Sequence, residues 1–158
     1  MPMTNAHQIC QTRANRIGKS LTPSKWITLD QAQINAFADI TKDHQFIHLD
    51  DARAKAETPF GGTIAHGFLT ISMASAFSYE VIEPFEGQTA GVNYGFDKIR
   101  FLAPVRAGSR IRGVFELMAL APKGDHAILQ THKLTIEIEG TDTPALVAHW
   151  LTLHQLGA

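Results

Sequence analysis

Apolar and polar positions change their period midway along the chain. Over residues 30–41, Ile34, Phe37 and Ala38 recur at i, i+3 and i+4, the spacing of a helix with one face on a core. Asp30, with Gln33 three residues on, is placed to cap its start reciprocally, and the pattern stops near Thr41. Upstream, residues 24–29 read as a short strand around Trp26 and Ile27. Asp50 has the position of an N-cap for a second short helix through Lys55. Pro59, Gly61 and Gly62 then form a loop. From His66 to about Tyr79 the chain has helical length but no clean polar face. Its polar positions are the small residues Thr70, Ser72, Ser75 and Ser78. A helix that is apolar or small all round is normally buried, so this one is expected at the centre of the fold.

In the second half the period becomes two. Ile128, Leu134, Ile136 and Ile138 share one parity, with Lys133, Thr135 and Glu137 on the other. Ile111, Phe115, Leu117 and Ala119 alternate likewise, and Val147, Leu151 and Leu153 give the apolar parity of a strand over 145–153. These read as half-buried antiparallel strands. Between residues 92 and 101 the apolar parity switches, from Val92, Tyr94 and Phe96 to Ile99 and Phe101, which predicts a bulge near Asp97. Gly108 and Lys123-Gly124-Asp125 mark turns. The fold class is therefore α+β, an antiparallel sheet wrapped round one helix. Such a sheet leaves an edge strand in need of cover. A homodimer, formed by sheet extension or helix packing, is the expected solution.

Composition narrows the possibilities. At 158 residues, 44% hydrophobic and 18% charged, the chain suits a globular domain with a real core. Residues 1–16 read as an N-terminal arm and residues 17–158 as a single domain. The first 29 residues carry Arg13, Arg16, Lys19 and Lys25 and no acid, but no apolar face or secretory core, so they do not read as a targeting segment. The apolar run over 68–77 is too short and too hydroxylated to insert in a membrane. A net charge of −1 argues against nucleic acid as a partner. The basic residues Arg106, Arg110 and Arg112 suit a solvated face or the phosphate of a small ligand better than a duplex. The lone Cys10 has no partner for an internal disulfide, which points to a reducing, cytoplasmic setting.

The candidate chemistry lies in two pieces, residues 43–48 and 64–69. Asp43 and His48 are five residues apart and cannot share a helix face, but a turn between them brings them together. A carboxylate and an imidazole holding one water are the parts of a general acid–base pair. Gly67, opening the central helix, leaves its N–H to a developing oxyanion. Together they suit water addition to, or elimination from, a carbonyl-conjugated double bond, with no cofactor. The residues also permit plainer readings: Asp43 capping a turn, His48 a buried hydrogen-bonded histidine, and Ser75 a core hydroxyl bonded to backbone. A metal set drawn from His44, His48, His66, Asp50 and Asp51 is a further reading. Phe46-Ile47 and the Asp50 cap argue against the helix that would let His44 and His48 chelate at i, i+4. His126, His132, His149 and His154 read as structural or surface residues.

The runs FADITKDHQFIHLD (37–50), PFGGTIAHGF (59–68) and NYGFDKIRFLAPV (93–105) resemble, in order, the hydratase signature of MaoC-like proteins, in particular the nodulation-protein-N-like branch. The resemblance extends from about residue 17 to the C-terminus. It implies a hot-dog fold, usually dimeric, and (R)-specific hydration of a trans-2-enoyl thioester of CoA or acyl carrier protein. By position, it implies that Asp43 and His48 are catalytic, that Gly67 serves the oxyanion, and that Gln45 and Ser75 lie near the substrate. Departures are Lys42 where the common signature has glycine, Gln45 for Asn and Phe46 for Pro. Lys42 matters most, because a glycine there is free to adopt φ > 0. Two alternatives accompany this reading. A hot-dog thioesterase usually carries a carboxylate on the central helix, and residues 66–79 have none. A non-catalytic acyl-thioester-binding protein is the other.

Overall fold

A computed structural model describes residues 5–157. Helix α1 (Ala6–Arg13) and a 3₁₀ turn precede the short strand β1 (Ile27–Leu29) and helix α2 (Gln31–Thr41). The reciprocal Asp30/Gln33 cap forms as the sequence predicts, and Asp50 accepts the Arg53 N–H at the start of α4 (Asp51–Glu57). Between them, Phe46–Leu49 makes one helical turn, α3, where the sequence suggested irregular backbone. A single turn is too short to show a helical period, so the pattern is silent there.

The central helix runs from Gly67 to Val81 but is interrupted at Met73, giving α5 (Gly67–Ser72) and α6 (Ala74–Val81). It is not buried all round. Leu69, Thr70, Ile71, Ala74 and Phe77 face inward, while Phe68, Ser72, Ala76 and Tyr79 are exposed. Strands β2 (Gln88–Phe101), β3 (Ser109–Pro122), β4 (Ala127–Ile138) and β5 (Leu146–Leu156) follow. All pair antiparallel, in the order β1-β3-β4-β5-β2. The β2 register slips between Phe96 and Lys98, so the bulge falls at Asp97; it also slips at Thr89 and Tyr94.

The parity read for β5 is corrected. Leu146, Ala148 and Trp150 face the core, whereas Val147 and Leu153 lie half-buried on the other face, and of the expected set only Leu151 is buried. Both faces of this interior strand are apolar, and the longer aliphatic residues happen to sit on the outer one. The core joins Leu29, Ile34, Phe77, Phe115, Leu134 and Trp150. Helix and sheet meet closely at Gly113, where a Cβ would stand 2.8 Å from that of Phe77. A smaller cluster of Ala6, Ile9, Phe85, Ile128 and Leu156 fastens α1 to the far end of the sheet. The curled five-stranded antiparallel sheet folded round one helix is the hot-dog fold, in the α+β class. No helix among the described residues is long and apolar enough to cross a membrane.

Candidate active site

The site forms where the α2–α4 excursion crosses the entry to the central helix. Residues 63–66 are the strap. Ile64 N–H donates to the Ile47 carbonyl, Ala65 N–H to Val105, and Ala107 N–H to Thr63. Gln31, the first residue of α2, donates to the His48 carbonyl at 2.7 Å and accepts from the Thr63 hydroxyl at 2.6 Å. Asp51 accepts the Thr63 N–H. Gly62, at φ 152°, leaves room for this junction: a Cβ there would lie 2.5 Å from the Arg106 guanidinium and 2.6 Å from the Asp51 carboxylate.

His48 is buried and its Nδ1–H donates to the Ile64 carbonyl at 2.7 Å. That bond fixes the tautomer and leaves Nε2 as a bare acceptor. Burial, above all, pushes the imidazole below its usual range, and His66 adds to this; the bond to Ile64 and the Asp43 charge act the other way. His48 is therefore neutral at pH 7, with a lone pair to offer. Asp43 is exposed, in the loop after α2. One acceptor or donor atom from each of Asp43, His48 and His66 lies within 4.8 Å of the others. A water bonded to two groups at about 2.8 Å each spans roughly 4.6 Å, so a single water can sit between carboxylate and imidazole.

His66 completes the cluster, a residue the sequence offered only as a metal candidate. It is buried; its Nε2–H donates to the Asp43 carbonyl at 3.0 Å, and its ring stacks on His48 with centroids 3.7 Å apart and planes at 25°. Phe37 packs on it at 5.0 Å. Its Nδ1 is buried without a partner among the described residues. The stacking is a poor fit to a shared metal ion, because a ligand lone pair lies in the ring plane and these planes are nearly parallel. The other metal candidates are dispersed: His44 bonds Asp39 at 2.9 Å, and Asp50 and Asp51 engage backbone N–H groups.

Gly67 follows His66 directly and is exposed. Among the described residues its N–H has no backbone acceptor. It borders a cleft of about 260 Å³ with Thr70, Phe101, Leu102 and Pro104. A Cβ at Gly67 would come within 3.0 Å of the Phe101 ring. Lys42 takes φ 65°, the left-handed conformation available to a glycine, so the loop carrying Asp43 keeps its turn despite the substitution. The Gln45 side chain is exposed and makes no hydrogen bond among the described residues. Ser75 is not gathered with the others. It lies eight residues beyond Gly67, about 12 Å along the helix, and lines a different cavity.

A family model for the MaoC like domain matches residues 12–138. The chain is 50% identical over 139 residues to Nodulation protein N of Rhizobium meliloti (strain 1021), covering 88% of this chain and 86% of that one. It is 41% identical over 131 residues to 3-hydroxyacyl-thioester dehydratase Z of Mycobacterium tuberculosis (strain ATCC 25618 / H37Rv), covering 83% and 85%. The R-hydratase PhaJ1 of Pseudomonas aeruginosa, in its unliganded form, superposes with a TM-score of 0.70 at 19% identity over 98% of this chain and 87% of that one, a likeness of fold. The chain belongs to the MaoC-like domain family.

Proposed function

We propose that this protein is a hydro-lyase acting on a trans-2-enoyl thioester, adding water to give the (3R)-3-hydroxyacyl thioester or removing it in reverse. Family membership supports a hydro-lyase activity in general. The observation that carries the finer reading is the Asp43/His48 pair, spaced for one water, with Gly67 next to His66 in the chain offering an N–H that has no backbone acceptor among the described residues. In hydration, the water oxygen adds to C3 while His48 Nε2 takes its proton. The π electrons move onto the thioester oxygen as an enolate, which the Gly67 N–H stabilises, and His48 Nε2 then returns the water's proton to C2, which completes the addition and regenerates the neutral imidazole. The carboxylate of Asp43 orients the water. The substrate is a thioester of CoA or acyl carrier protein. Ser75 is too far from Gly67 to touch the reacting carbons in its own chain. It serves the acyl chain further along the helix, or the reacting carbons of a second copy.

Hydration of crotonyl-CoA, followed as loss of the enoyl thioester absorbance, tests the reading. Asp43→Asn and His48→Gln should each lower turnover about 10²–10⁴-fold with unchanged circular dichroism. Full activity in both variants would sink it. The thioesterase alternative finds no carboxylate on the inward face of α5–α6; Glu80, the one acid in these two helices, is exposed and accepts the Lys25 N–H.

A further inference from the structure

A groove follows the central helix away from Gly67, between α5–α6 and the edge strand β2. Its first part, about 260 Å³, is bounded by Ile71, Ser75, Phe96 and Trp150. It adjoins a larger cavity of about 410 Å³, with which it shares Ser75, Asn93 and Trp150. The far end is mixed: Ser78, Gln88, Thr152 and His154 line it beside the apolar Ile82, Pro84 and Val92. Gly91 keeps the wall open, since a Cβ there would stand 3.2 Å from His154 Nδ1 and 3.3 Å from Gln88 Nε2.

The hydrogen bonds on this wall have a direction. Gln88 Oε1 accepts the Phe85 N–H at 3.1 Å, and it also accepts from His154 Nδ1 at 3.1 Å. With its Nδ1 protonated, His154 Nε2 takes the Thr152 hydroxyl at 2.9 Å. Asn93 Oδ1 accepts the Trp150 indole N–H at 3.1 Å. Both amide oxygens are thus engaged by the protein. The –NH₂ groups of Gln88 and Asn93 and the Ser75 hydroxyl have no acceptor among the described residues. Behind them Gln130 Oε1 is buried without a partner, and Gln130 stands opposite Thr152 in the β4–β5 ladder. A plain alkyl chain laid on this wall would pack against Ile82 and Val92 but leave those donors desolvated and unpaired.

The geometry points to a subsite for an acyl chain that carries an oxygen function beyond the reacting carbons, a hydroxyl, ether or carbonyl that accepts from the Gln88 and Asn93 amides. This rests on the enoyl-thioester reading above and names its substrate class more narrowly.

The test compares medium-chain enoyl-CoAs that differ only in one hydroxyl or keto group placed along the tail. The oxygenated chain should have a kcat/KM about tenfold higher, the contribution of one or two well-made hydrogen bonds. Gln88→Glu with Asn93→Asp keeps both acceptor roles toward the protein while replacing the two amide donors by anionic oxygens that repel a substrate acceptor, and should bring the ratio to one or below. In parallel, calorimetric titration with the corresponding saturated acyl-CoAs reads the subsite without chemistry and should show the same preference. Turnover with no preference, and equal binding of the two saturated chains, overturns the subsite and leaves the reaction standing. Preferential binding with no turnover of any enoyl-CoA overturns the reaction and leaves the subsite. A ratio unmoved by the double variant removes Gln88 and Asn93 from the assignment.

Discussion

His66 holds the two candidate catalytic side chains from behind, by a hydrogen bond to the Asp43 carbonyl and a ring stacked on His48. It touches no reacting atom in this reading and is a positioning residue. His66→Phe keeps an aromatic ring against His48 and deletes the bond to Asp43. It should lower kcat by roughly tenfold, on the order of the net contribution of one hydrogen bond. The pH profile separates this from mere packing. In the proposed reaction His48 is a neutral base, so activity should be present at neutral pH and lost as pH falls through its depressed pKa. His66 is one of the influences that depress it. Its removal lets the His48 pKa climb, and the acid limb of kcat/KM should move to higher pH. A variant with wild-type kcat and an unmoved acid limb would show that His66 only fills space. Lys42 is the reverse case. It departs from the expected glycine yet takes the glycine's backbone conformation, which a backbone angle reveals and a residue name does not.

Among the elements, β2 carries the most open question, because it is the sheet edge and bears exposed apolar residues at Val92, Tyr94, Phe96 and Phe101. Phe68 and Tyr79 on the open flank of the helix are 74% and 85% exposed. An unpaired edge beside such a patch invites a second copy. Wild-type protein should sediment as a dimer. Tyr94→Lys, placing a charge on that edge, should shift it toward monomer and reduce hydration with it; a wild-type monomer of full activity would remove the dimer from the account. The same surface explains what the sequence concealed. A helix without a polar face read as wholly buried, although one side is open in the single chain. The bulge at Asp97 was legible because a parity switch can be satisfied only by an extra residue. The capping box and the turn glycines were legible because each is a local bond or a local φ. The inward face of β5 was not, because both parities are apolar and only the neighbouring strands decide between them. Asp43, His48 and Gly67 stood out in sequence, but the stacking of His66 joins segments that run far apart along the chain, and no local pattern encodes it.

At the scale of the whole molecule, the inner face of β4 reads Ile128, Gln130, His132, Leu134, so the core contains a polar step between its two apolar clusters. His132 is 2% exposed, packed edge-on against Phe115 at 5.8 Å and paired across the ladder with Trp150. Burial, with a smaller contribution from nearby His154, lowers its pKa to about 4. In the unfolded chain the same imidazole titrates near 6.5. Between these values the unfolded state binds the extra proton, so stability rises with pH across that window and falls on acidification. At one pKa unit per about 1.4 kcal/mol, the loss from His132 between pH 7 and pH 5 is of order 2 kcal/mol. His48 and His154 are shifted the same way and add to the slope. Urea unfolding at the two pH values, at one fixed protein concentration so that any subunit association contributes equally, should show this loss. His132→Leu should flatten it in part, leaving the share of the other two. Equal stability at both pH values, or an unchanged slope in His132→Leu, would mean that His132 reaches water in the folded protein and that the core is less closed than its packing indicates.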